Sequence, residues 1–121
     1  RDFIIRWLQQ LSRQPAAFRL AFSEMLAADP GRLEGIFEIM KNWYRDLAVY
    51  AYFPQSIYNR DLRDQVQAAS RHVTAENVAE KTDAIERAQK ALAGNANLRL
   101  TLDALVMKLA QPPVTHEQGN H

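Results

Sequence analysis

The chain has 121 residues, 47% of them apolar and 24% charged, with a net charge of +1 and no cysteine. That length fits one domain with a core of its own, and the composition is that of a globular chain rather than a disordered one. The charge balance offers no overall attraction to nucleic acid or anionic membrane, and the lack of cysteine excludes disulfides and thiolate metal sites while permitting a reducing compartment.

The opening residues, Arg1-Asp2-Phe3-Ile4-Ile5-Arg6, have neither the apolar core nor the cleavage site of a signal peptide. They begin without Met and already inside a helical pattern, so a fragment of a longer protein is expected. Phe3, Ile4, Trp7, Leu8 and Leu11 predict a first helix over 2–13. Pro15, as the first helical residue, opens a second whose stripe is Phe18, Ala21, Phe22, Met25 and Leu26, ending at Ala28. Asp29-Pro30 reads as a cap and first residue for the next helix.

That third helix, expected over 33–53, organises the rest. Leu33, Ile36, Phe37, Met40, Trp43, Leu47 and Ala51 recur at three- and four-residue intervals along one stripe, and Ile39, Tyr44, Val49, Tyr50 and Tyr52 widen it. Phe53-Pro54 stops it, because a residue before proline is pushed out of the helical region. Asn59 is read as the cap of a fourth helix with Leu62, Val66, Ala69 and Val73 inside, and with Asp61 and Asp64 in its first turn.

Thr74 caps a fifth helix with a narrow stripe of Val78, Thr82, Ile85, Ala88, Gln89 and Leu92, expected at the periphery. Ala93-Gly94-Asn95 closes it in a left-handed cap, and Asn97 starts a sixth helix over 98–110. Leu98, Leu102, Leu105 and Leu109 line one face of that helix and Leu100, Ala104 and Met107 another, which predicts a central place beside the third helix. No membrane-length apolar run, strand pattern or internal repeat occurs. The expected fold is all-α, a single bundle of about six helices over 1–111, followed by a flexible tail over 112–121.

The residues give little support for catalysis. Of the three histidines, His116 and His121 fall in the expected tail, and His72 has no ligand-type partner one turn away on its helix. The serines lack the glycines of a nucleophile elbow, and the four glycines form no phosphate-binding loop. Pairs such as Asp61/Asp64, Glu76/Glu80 and Asp83/Glu86 read as solvated helix faces, and the scattered Arg1, Arg6, Arg13 and Arg19 as ordinary surface. No cofactor, metal or small-molecule substrate is expected.

Two features are less ordinary. Tyr50, Tyr52, Phe53 and Tyr58 lie near Arg60 and Arg63; they are read as an apolar plug on the end of the long helix, with a single-strand stacking platform as the alternative. Arg45 and Asp46 interrupt the most apolar helix, pointing about 100 degrees apart, so each is expected to be buried with a partner of its own rather than paired with the other. A buried ion must be hydrogen-bonded, which makes the pair a structural clamp; contact with a neighbouring protein is the alternative.

Trp43-Tyr44-Arg45-Asp46-Leu47, then Asn59-Arg60-Asp61, then the run Ala91-Leu92-Ala93-Gly94-Asn95-Ala96-Asn97-Leu98-Arg99-Leu100-Thr101-Leu102-Asp103-Ala104-Leu105 together resemble the C-terminal region of bacterial DNA polymerase III delta prime subunits. The resemblance spans most of residues 15–110. Asp103 stands where the family pattern has Glu, and Leu98 where the related gamma and tau collars often have Pro. The resemblance implies a helical collar domain that joins a cytoplasmic clamp loader in DNA replication, with gamma or tau and delta subunits as partners. It further implies that Asn95 and Asn97 set the last interhelical turn, that Leu98, Leu100 and Leu102 seat the final helix, and that any ATP-driven machinery lies upstream. Direct nucleic-acid contact is not expected on this reading; the alternative is a small helical nucleic-acid-binding module using residues 50–63.

Overall fold

The computed structural model describes residues 1–112, and among them it contains α-helices and 3₁₀ turns but no strand. Apart from Pro112, the expected tail lies outside the described residues. The helices are α1 (Asp2–Gln10), α2 (Ala16–Ala27), α3 (Leu33–Tyr50), α4 (Arg63–Ser70), α5 (Ala75–Ala93) and α6 (Leu98–Ala110), forming a single bundle.

Most differences from the expected boundaries come from local backbone chemistry. After Gln10 the chain tightens into a turn in which the N–H groups of Arg13 and Gln14 both donate to the Gln10 carbonyl, so α1 ends short of residue 13 while Leu11 stays buried. Pro15, with ψ of 170°, is the extended residue before α2 rather than its first helical one. Asp29 makes no capping hydrogen bond from its side chain; Pro30–Arg32 form a separate 3₁₀ turn that leads into α3. At the far end α3 leaves the helical ladder at Tyr50, two turn residues follow, and Phe53 takes φ −138° and ψ 68° under the constraint of Pro54.

The caps around α5 and α6 are as expected. The Thr74 hydroxyl accepts from the Asn77 backbone N–H at 3.1 Å while the Asn77 side chain accepts from the Thr74 N–H at 3.0 Å, a reciprocal box. At the other end the left-handed residue is Asn95, with φ 66°, whereas Gly94 is not left-handed. The Ala96 N–H donates to Ala91 C=O at 2.9 Å and the Asn95 N–H to Leu92 C=O at 3.1 Å, the paired bonds of a Schellman turn. Asn97 then accepts the Leu100 N–H at 2.9 Å and starts α6.

The core is built from Phe37, Met40, Trp43, Tyr44 and Leu47 of α3, with Ile5, Leu8 and Leu11, Phe22 and Leu26, Val66, Val78 and Ile85, and Leu102, Leu105 and Val106 from the other elements. The helices pack in a closed circuit. α3 lies against α1, α4 and α5, α5 against α6, and α6 against α2. Trp7 of α1 completes the circuit by stacking on Phe22 of α2, with ring centroids 5.1 Å apart and planes 11° from parallel.

This order corrects two expectations. α5 is not peripheral: it stands between α3 and α6, because small residues such as the buried Ala88 and half-buried Ala84 let both neighbours approach its narrow stripe. α6 does not lie with both apolar faces covered beside α3. Its Leu102–Leu105–Leu109 face packs on α2 and α5, and its Leu100–Ala104–Met107 face stays exposed.

Polar ties fix the circuit where apolar packing is non-directional. Ser23, buried on α2, donates to Asp103 of α6, whose other partner is Arg99 at 3.0 Å; these two hold the Asp103 carboxyl below its ordinary pKa, Ser23 having the larger effect. Lys81 of α5 donates to the Leu109 and Gln111 carbonyls at 2.6 and 3.2 Å, closing the end of α6. Burial pushes the Lys81 ammonium down to about 8, with Glu80 opposing the shift and Lys108 adding to it, so the group still carries its proton at neutral pH.

Candidate functional site

The long helix brings Asp46 against the segment that precedes α4. Its carboxylate is 0% exposed and accepts three hydrogen bonds there: the Tyr58 N–H on Oδ1 at 2.7 Å, and the Asn59 N–H and Asn59 Nδ2 on Oδ2, both at 2.8 Å. Asn59 is equally buried, and its side chain serves this contact rather than capping the next helix as expected. The reason is energetic: a buried carboxylate must be satisfied, and three N–H donors at short distance do so without burying a second full charge.

Arg45 behaves otherwise. Its side chain is 52% exposed, and its Nη1 lies 3.4 Å from Asp46 Oδ1, long compared with the ~2.8 Å of a well-made charge-assisted bond. The expectation that both ions are buried therefore holds only for Asp46, and the two residues do touch, though weakly. The one-residue offset along α3 turns Arg45 outward as Asp46 turns inward.

Arg45 thereby lines an open cleft of about 380 Å³ between α3 and the 56–60 segment, with Asn42, Ser56, Ile57, Tyr58 and Arg60. Two of these six side chains are cations and none is acidic. The nearby acids are engaged: Asp46 as above, and Asp61 by Arg1, whose Nη1 donates to it at 2.8 Å and which holds the Asp61 carboxyl below its ordinary pKa. Arg60 makes no ion pair among the described residues.

The aromatic corner beside this cleft is not the expected plug. Tyr52, Phe53 and Tyr58 are 76%, 60% and 67% exposed, because the chain leaves α3 at Tyr50 and carries the later rings away from the core. Only Tyr50 is half-buried, with the Arg63 guanidinium 5.8 Å from its ring centre. A second exposed surface lies on α6, where Leu100 is 70% and Met107 66% exposed with Ala104 between them on the same face.

Comparison with family models, curated proteins and solved structures found no match. The geometry alone therefore ranks the residues singled out from the sequence. Trp43 and Leu47 are core side chains. Arg45, Asp46 and Asn59 come together at the clamp, whereas Asp61 points to Arg1. Asn95, Asn97, Leu98 and Arg99 gather at the α5–α6 corner, far along the chain from the clamp. Leu102 seats α6 with 0% exposure and Leu98 is half-buried, but Leu100, expected to do the same, faces outward.

Asn42 and Ser56, which line the cleft, and Ser23 and Lys81, which tie helices together, were not singled out as candidate sites. Ser23 had a legible signal, a hydroxyl amid the Phe22–Leu26 stripe; Asn42 and Ser56 had none. Among the described residues no group of His, Asp or Glu is arranged to hold a metal ion, and no helix is long and apolar enough to cross a membrane. His72 is exposed, and His116 and His121 lie outside the described residues.

Proposed function

We propose that this chain is the collar domain of a DNA polymerase III clamp loader, of the delta prime type, and that its task in replication is to hold its subunit in the cytoplasmic clamp-loader complex by packing against the collars of gamma or tau and delta. In this reading the domain catalyses nothing and needs no cofactor. The motifs that carry the resemblance occupy positions that stiffen a bundle: Asp46 with Asn59 at one corner, Asn95 with Asn97 at another.

The observation that carries the reading is the apolar stripe Leu100–Ala104–Met107. A helix whose inner face already closes the core has three further apolar residues at helical spacing turned outward, which is the form of a surface meant to be covered by another helix. The test is co-assembly with purified gamma or tau and delta collars, followed by light scattering. Leu100→Glu with Met107→Glu is expected to keep the melting temperature within a few degrees, since surface changes away from buried features cost within about 0.5 kcal/mol each, and to abolish co-assembly. Failure of the unaltered chain to co-assemble, or undiminished assembly of the charged variant, would sink the proposal.

A further inference from the structure

The Asp46 clamp accounts for the buried Ile57 and Asn59, but not for the exposed side chains of Tyr52, Phe53, Tyr58 and Arg60 around them. The cleft beside them pairs two guanidiniums, Arg45 and Arg60, with the polar side chains of Asn42, Ser56 and Tyr58, and no acid lines it among the described residues. Arg45 is half in solvent and, among the described residues, tethered only by a 3.4 Å contact to a carboxylate that already has three better donors. Three exposed rings, Tyr52, Phe53 and Tyr58, belong to the stretch of chain that supplies one side of the cleft. Tyr58 lines it, and Phe53 belongs to the same turn as Ser56, whose N–H donates to the Phe53 carbonyl at 2.9 Å. None of Tyr52, Phe53 and Tyr58 stacks on another aromatic ring among the described residues.

Leaving three large rings in water is unfavourable in proportion to their apolar area, so a partner with flat faces to lay on them gains what the fold leaves uncovered. We propose that this corner binds single-stranded nucleic acid, with the Arg45–Arg60 cleft taking a backbone phosphate and the rings of Tyr52, Phe53 and Tyr58 stacking on unpaired bases. An acidic peptide would use the two arginines and leave the rings uncovered, and a duplex would offer no free base faces. The net charge of only +1 for the whole chain does not count against a site of this kind, because the charge that matters is local: Asp61 is paired with Arg1, and the buried Asp46 carboxylate offsets at most one of the two guanidinium charges of the cleft. Asp64, in the first turn of α4, lies at the positive end of its own helix.

The inference does not rest on the collar reading, and the two fail separately, since one concerns the α6 face and the other the corner between α3 and α4. Anisotropy of a labelled oligo-dT of about 15 nucleotides, titrated with the whole chain at several salt concentrations, reads it directly. Tyr58→Ala keeps the backbone N–H that Asp46 needs and is expected to weaken binding about fivefold or more. Loss of one phosphate contact in Arg45→Gln or Arg60→Gln is expected to flatten the salt slope by about 0.7. Arg87→Gln, which removes an exposed cation on α5, is the charge control and is expected to change neither affinity nor slope. Absence of binding at low salt, binding indifferent to Tyr58→Ala and Arg60→Gln, equal weakening by Arg87→Gln, or equal competition by polyglutamate would each overturn the proposal.

Discussion

Replacing Asp46 by Asn keeps the shape of the side chain and removes one acceptor oxygen. In the native protein Oδ2 serves two donors of Asn59 and Oδ1 serves the Tyr58 N–H, all within 2.8 Å. The substituted amide does best with its oxygen in the Oδ2 position, which leaves its NH₂ facing the Tyr58 N–H, donor against donor. The loss is one hydrogen bond to a charged acceptor, about 1.5 to 3 kcal/mol, plus a buried N–H without a partner, about 1 to 3 kcal/mol. A total near ~3 kcal/mol, even with partial relief by solvent, lowers the melting temperature of a domain this size by on the order of 10 °C. Differential scanning calorimetry measures it. The Asp46→Asn/Asn59→Asp double variant is expected to be more stable than Asn59→Asp alone, which sets two carboxylates in contact, because the amide NH₂ of the double variant donates to the new carboxylate. A melting temperature for Asp46→Asn within about 2 or 3 °C of the native one, on the order of 0.5 kcal/mol, would refute the view that this carboxylate anchors the 57–59 segment.

Trp43→Ala truncates a fully buried ring in the centre of α3 and is expected to cost about 3 to 5 kcal/mol, seen as a lower urea midpoint and as lost co-assembly; a variant that stayed fully folded yet failed to assemble would instead place Trp43 at the interface. Asn95→Ala puts a Cβ-bearing residue without a helping side chain at φ 66° and is expected to destabilise by about 1 kcal/mol, whereas Asn95→Gly is expected to be neutral or stabilising; the reverse order would remove the left-handed turn from the account. Ser23 and Arg99 hold the Asp103 carboxyl below its ordinary pKa in the folded chain, so its contribution is present above the ordinary carboxylate pKa and lost as pH falls through the depressed folded one. Thermal melts of the native chain and Asp103→Asn are therefore expected to differ at neutral pH and to converge as acidification protonates the folded-state carboxyl; a gap that widens on acidification would contradict the Ser23–Asp103 tie.

Helix number and type, the Thr74 cap of α5, the Asn97 cap and the burial of Trp43, Leu102 and Ile85 were legible because each depends on neighbours in sequence: spacing sets a helix face, and a cap needs only its own first turn. The need for Asp46 to have partners was legible too, since a carboxylate inside an apolar helix has few tolerable states. Which donors it found was not, because Tyr58 and Asn59 reach it only when the chain folds back after Pro54. The place of α5 between α3 and α6, the outward turn of Leu100 and Met107 and the exposure of Tyr52, Phe53 and Tyr58 were likewise settled by packing. Periodicity marks a face as apolar but carries no statement of what covers it. Only the tertiary arrangement decides that, because one helix can cover only one side of another and the number of neighbours is finite.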